Sequence, residues 1–157
     1  MASNSTLNAH TICANDAKLS TVSVGGTLLV NHSAPAAAAT LGDNHTLTIA
    51  ELLTGVAAFD GTAARNLVSP TAALAVAGVS GVSVGDCIDF SVINTGTAGA
   101  DETLTVTAGT GATLVGFMDV ENSETTHDAF SSGSGLFRIR FTNVTGGSEA
   151  YTVYRLA

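Results

Sequence analysis

Asp119, Glu121, Glu124 and Asp128 bring four carboxylates into ten residues, with His127 beside them. Hard oxygen ligands bunched in this way can hold calcium. Their spacing is not that of the calcium loop, and the glycine which that loop needs for its turn is missing. A solvated loop tip accounts for the same residues, so calcium stands as the sharper of two readings of residues 119–128. Two such carboxylates also have the residue type of a glycosidase acid and base. The chain has no Trp and two Tyr, however, and so lacks an obvious aromatic platform for sugar rings. His10, His32, His45 and His127 are scattered without the spacing of aligned zinc ligands. The glycine-rich pieces Gly96-Thr97-Ala98-Gly99 and Gly109-Thr110-Gly111 lack the Lys-Ser/Thr of a phosphate loop and read as hairpin turns. No enzyme, metal site or cofactor is expected.

Arginine carries a different kind of chemistry. Arg138, Arg140 and Arg155 are three of the five basic residues. Arg138 and Arg140 alternate with Phe137, Ile139 and Phe141, which puts them on one strand face opposite the apolar one. Arg155, on the strand expected to pair with this one, is able to join them. An ordinary wet sheet face is one reading. The other is an interface, since Arg is enriched where partners dock and pairs bidentately with carboxylates. In a chain with 13 carboxylates, a second copy is a suitable partner.

These residues need a frame, and the composition bounds it. The chain has 157 residues, 45% hydrophobic and 11% charged, with a formal net charge of −8. That length fits one domain. Its apolar content argues against disorder, and its acidity against nucleic acid as a partner. No apolar run is long enough to cross a membrane as a helix. The N-terminus lacks the basic start and apolar stretch of a secretory signal, so export by that route is not expected. Cys13 and Cys87 are too few for a disulfide scaffold and read as unpaired, buried or half-buried residues, with a bridge or a reactive thiol as alternatives. The Asn-X-Ser/Thr triplets at Asn4, Asn31, Asn44 and Asn143 are what a Ser/Thr-rich composition produces by chance.

Along the chain, residues 1–45 read as an N-terminal arm and connector. Leu7 and Ile12 are isolated apolar residues of the arm, and a strand is possible at 20–30, where Val22 and Val24 alternate with Thr21 and Ser23. Ordering residues 1–19 would cost about 20–40 kcal/mol of backbone entropy. Four apolar side chains return about 1.5–3 kcal/mol each, so an ordered arm needs a partner's sheet edge. From 46 to 157 strand patterns dominate. Thr48-Ile49-Ala50-Glu51 matches a capping box, and Gly55 a helix stop, giving a helix near 49–54. Ser69 as N-cap with Pro70 at the first position gives a second near 70–77. Ile88, Phe90 and Val92, then Leu104 and Val106, then residues 113–118 alternate as strands. Phe137, Ile139 and Phe141 return through Thr145–Ser148 onto Tyr151–Arg155. The fold class is all-β: an antiparallel β-sandwich or jelly roll with one or two short helices and an extended arm.

Over roughly residues 46–157 the order of these pieces resembles a known family. The series is Leu52-Leu53-Thr54-Gly55, Ser69–Leu74, Val84-Gly85-Asp86, Asp89–Asn94 and Leu104–Gly111, ending in Phe141–Thr145 and Tyr151–Arg155. It is similar to capsid decoration (cement) proteins of tailed phages. The resemblance implies a β-rich homotrimer on the virion surface, assembled in the host cytoplasm. It implies the major capsid protein and the chain itself as partners, with arms laid over neighbouring capsomers. Leu7 and Ile12 of the arm, with Arg138, Arg140 and Arg155, are then the candidate interface residues. A receptor- or glycan-binding module of a head fibre or tail tip is the alternative, sharing fold and trimer but carrying a ligand pocket.

Overall fold

The computed structural model describes residues 39–96, 102–122 and 133–157. In chain order they form β1 (Ala39–Leu41), β2 (His45–Thr46), α1 (Ile49–Leu53), β3 (Val56–Gly61), β4 (Arg65–Val68) and α2 (Ala72–Gly78). Then come β5 (Cys87–Asn94), β6 (Leu104–Thr107), β7 (Ala112–Val115), β8 (Asp119–Val120), β9 (Ser134–Asn143) and β10 (Ala150–Arg155). With 47% strand and two short helices, the fold is β-rich. The arm to residue 38, with Leu7, Ile12 and the strand at 20–30, lies outside the described residues. Strand β1 and the first residue of β2 fall within 1–45, the span expected to be arm and connector. The two strands are three and two residues long, too short to leave an alternation in the sequence.

The strands make two sheets, one in the order β1-β3-β5-β9-β10-β7 and one in the order β2-β4-β6-β8. Antiparallel pairing holds for β5 with β9, β9 with β10, and β6 with β8. The other pairings among the described residues are parallel. The sheets are therefore mixed, where the turn spacing led us to expect antiparallel ones throughout. The cause is the path of the chain. From β1 to β8 successive strands fall alternately in the larger and the smaller sheet, and α1 and α2 carry the chain back to the larger one. Each return starts β3 or β5 in the same direction as the strand before it in that sheet. Gly109-Thr110-Gly111 joins β6 in one sheet to β7 in the other, so it is not a hairpin turn. The step from β5 to β6 likewise changes sheets. Only the turn from β9 to β10 closes the hairpin expected of it.

Local chemistry explains both helix starts. The Thr48 hydroxyl accepts the Glu51 amide, and the Glu51 carboxylate accepts the Thr48 amide at 2.6 Å, a complete capping box. Gly55, at φ +81°, supplies the left-handed residue that ends α1. The second helix starts later than expected, capped by Thr71 through the Leu74 amide. Ser69 is not available for that role because its hydroxyl accepts the Gly109 amide at 2.9 Å. The neighbouring Pro70 carbonyl accepts the buried Tyr151 phenol at 2.5 Å.

Both sheets feed one hydrophobic cluster. Phe90, Val92, Phe137, Ile139, Phe141, Tyr151 and Val153 come from the larger sheet, and Leu67, Leu104, Val106 and Val120 from the smaller. Phe90 stacks on Phe137, and Phe141 meets Tyr151 edge to face. Leu52 closes the cluster from α1. Among the described residues the opposite face of the larger sheet carries Arg138 and Arg140, both exposed.

Candidate functional site

Alternation along β9 buries Leu-free positions Phe137, Ile139 and Phe141 and exposes Arg138 and Arg140. The register sets Arg138 between Asp89 on β5 and Tyr154 on β10, and Arg140 between Cys87 and Thr152. Arg138 clasps Asp89 bidentately, Nε to Oδ1 at 2.6 Å and Nη2 to Oδ2 at 2.7 Å. These bonds hold the Asp89 carboxyl below the usual carboxylate range, and Asp89 in turn raises the Arg138 guanidinium. Both side chains remain about half exposed, at 47% and 45%. Among the described residues Arg140 has no ion-pair partner, and it presents a free cation to solvent.

Apolar groups border this charge. Leu136 is exposed on the same face, and Leu53 is exposed at the end of α1. Two adjoining hollows meet at Asp89. One, of about 470 Å³, is lined by Leu52, Leu53, Cys87, Ile88 and Arg138 as well; the other, of about 370 Å³, by Thr54, Gly55, Val56, Phe90 and Leu136. Cys87 is a free, exposed thiol, not the buried residue expected. It opens β5 with its side chain on the outer face. Cys13 lies outside the described residues.

Arg155 does not join the arginine face. Its partner in register is Phe137, so its side chain lies on the core side of the sheet. The guanidinium sits 4.9 Å from the Phe137 ring centroid and donates to the Asp119 carbonyl at 2.9 Å and to the Ala157 carbonyl. Gly135 makes room for it, since a Cβ there would come within 2.5 Å of Nη1. Burial pulls this guanidinium below its ordinary pKa, with Asp119 opposing. Arg155 is a strap between the two sheets. The sequence places it on the neighbouring strand, and the alternation of Tyr151, Val153 and Arg155 already puts it on their side, away from Arg138 and Arg140.

The acidic run divides. Asp119 accepts the Thr105 hydroxyl at 2.6 Å across the β6–β8 ladder, and Glu121 the Thr103 hydroxyl at 2.8 Å just beyond its end. Glu124, His127 and Asp128 lie outside the described residues, and among the described residues no group of three ligands able to hold a metal is found. Of the histidines, His10, His32 and His127 are likewise outside. His45 lies on Phe59 and bonds Glu51 at 3.0 Å. Burial alone would raise the Glu51 carboxyl, but the Thr48 amide and hydroxyl and His45 together bring it below its ordinary value. Asn44 and Asn143 use their side-chain oxygens on the Asn66 and Thr145 amides, as loop residues do.

The expectation from the sequence that no Gly-x-Ser-x-Gly elbow is present needs correction. Gly81-Val82-Ser83-Val84-Gly85 has the Gly-x-Ser-x-Gly form of a hydrolase nucleophile elbow. That elbow needs a strand before the serine and a helix after it. Here it follows α2 and precedes β5, and Ser83 takes part in a turn closed by Asp86. The form is present without its geometry.

No protein-family model, curated protein or solved structure matches the chain. No helix among the described residues is long and apolar enough to cross a membrane.

Proposed function

We propose that this chain is a structural virion protein that decorates and stabilises a tailed-phage capsid as a homotrimer. The observation that carries the reading is the outer face of the larger sheet. There a free Arg140, the Arg138–Asp89 pair and exposed Leu136 and Leu53 lie together on an otherwise acidic chain. Arginine beside exposed apolar groups is the make-up of a docking surface. The resemblance to capsid decoration proteins supplies the partners, the major capsid protein and further copies of this chain. In the same reading the two sheets are the layers of a β-sandwich, supported by the one core to which both contribute.

Quantitative mass spectrometry of purified particles tests the role, and light scattering of the isolated protein tests the assembly. Hundreds of copies per head and about three chain masses in solution are expected. A few copies at an appendage, with binding on a glycan array, would replace this role by a receptor-binding one.

A further inference from the structure

Among the described residues, the first half of β5 has a strand on one side only. Strand β9 pairs with it along its whole length, from Cys87 opposite Arg140 to Ile93 opposite Ser134. On the other side, β3 begins only at Val56, opposite Ser91. The Ser91 amide bonds the Gly55 carbonyl on that side, while the Asn94 amide bonds the Gly133 carbonyl at the β9 end. Backbone groups alternate in direction along a strand. The amides and carbonyls of Cys87 and Asp89 therefore face the side that β3 does not reach, and among the described residues nothing bonds them. This short open edge borders the hollow lined by Leu52, Leu53 and Ile88.

We propose that this edge is a β-augmentation site for an extended segment of a partner protein in which an acidic residue is followed by an apolar one. An added strand supplies the missing hydrogen bonds, and its alternate side chains choose the sequence. The residue opposite Ile88 points toward Leu52 and calls for an apolar side chain. The residue opposite Cys87 lies on the outer face, in line with Cys87 and then Arg140. Two strand spacings, about 10 Å, separate it from Arg140, and the small Cys87 side chain leaves that path open. A carboxylate there meets Arg140, which among the described residues lacks an ion-pair partner, whereas Arg138 is already held by Asp89. Gly55 and Thr54 block the groove beyond Phe90, so the bound stretch is short. The inference does not rest on the capsid reading, since it follows from the open edge alone.

The test is a fluorescence-polarisation titration of the full chain with a labelled peptide, acetyl-Thr-Glu-Val-Thr-Val-amide. Saturable binding is expected, with chemical-shift changes at the Cys87 and Asp89 amides. Replacing the peptide's Glu by Lys is expected to weaken binding at least tenfold, and N-methylation of its edge-facing amide to abolish it. Arg140→Glu is expected to reverse the Glu/Lys preference. Cys87→Pro removes the edge donor without touching the β9 ladder, and is expected to lose binding while circular dichroism stays unchanged. No saturation by about 1 mM, or binding indifferent to charge and N-methylation, would overturn the proposal. So would shifts of the same amides with protein concentration alone, which would give the edge to a second copy.

Discussion

The chain from β1 to β6 and the β9–β10 hairpin use the same short strands of Val, Leu, Phe and Thr, yet they pair by different rules. In the first region each strand is followed by a crossing to the other sheet, and neighbours within a sheet run parallel. In the second, ten-residue β9 turns directly onto β10 and runs antiparallel to it. Parallel order there needs the returns through α1 and α2, so its geometry depends on two caps and a few buried polar contacts. The hairpin depends on its own ladder and on aromatic packing. The wound region is held by junctions and the hairpin by its core.

The largest expected effect comes from attacking the hairpin at its core. Phe141 is fully buried and meets Tyr151 edge to face across the β9–β10 ladder. Phe141→Ala is expected to cost about 3–5 kcal/mol in urea unfolding. A cost below about 1 kcal/mol would mean that the hairpin is not where the stability of this sheet lies.

Next is a junction between the two sheets. Asn94 is buried at the end of β5, and its amide group donates to the Glu102 and Val120 carbonyls at 2.5 and 3.0 Å. Its oxygen accepts the Gly96 amide at 3.0 Å. One side chain thus ties the larger sheet to the approach of β6 and to β8. Asn94→Ala strands buried backbone groups, and is expected to cost about 2–4 kcal/mol. Hydrogen exchange is expected to open Leu104–Thr107 before β9, and equal exposure of both would break the distinction between junction and core.

The same contrast governs what the sequence reveals. Alternation states which side of a strand is buried, and on β9 it places Arg138 and Arg140 on the face where the structure has them. It does not state which strand lies alongside. A Gly-Thr-Gly turn that crosses between sheets has the composition of a hairpin turn, so the parallel winding is illegible from local pattern. The α1 capping box is wholly local and fully legible. The α2 start is not, because Ser69 is claimed by Gly109, forty residues away. The side of Arg155 is legible, since it has the parity of the buried Tyr151 and Val153 on its own strand; what local pattern does not show is the cross-sheet carbonyl that receives it. The open edge of β5 leaves no trace in sequence, being defined by where β3 begins.

A smaller effect compares the two caps of the wound region. Thr48→Ala is expected to cost about 0.5–2 kcal/mol, and Thr71→Ala to fall in the same range. Only the first should depend on pH. Glu51 has its folded pKa below the unfolded one, so its contribution is full above the unfolded pKa and is lost as pH falls through the folded one. Thr48→Ala removes the hydroxyl bond that helps to lower it and leaves the backbone amide bond in place. The cost of Thr48→Ala should therefore shrink from about pH 5 toward pH 3, while that of Thr71→Ala stays flat. Parallel pH profiles would show that the carboxylate adds nothing to the cap.

The smallest effect on stability is expected at the most conspicuous pair. Arg138 and Asp89 make two short charge-assisted bonds, but both side chains are about half exposed. In water the gain from such a pair is offset by the ordering of a long side chain and screened by salt. Arg138→Ala is therefore expected to leave the urea midpoint unchanged at physiological salt, in contrast to the core and junction variants on neighbouring positions. If the outer face of the larger sheet is a contact between copies, the same variant should still lower the mass seen by light scattering. It leaves Asp89 as a carboxylate with no cation at a surface meant to meet an acidic neighbour. A lowered midpoint with unchanged mass would reverse the assignment, making the pair part of the frame and leaving the docking role to Arg140.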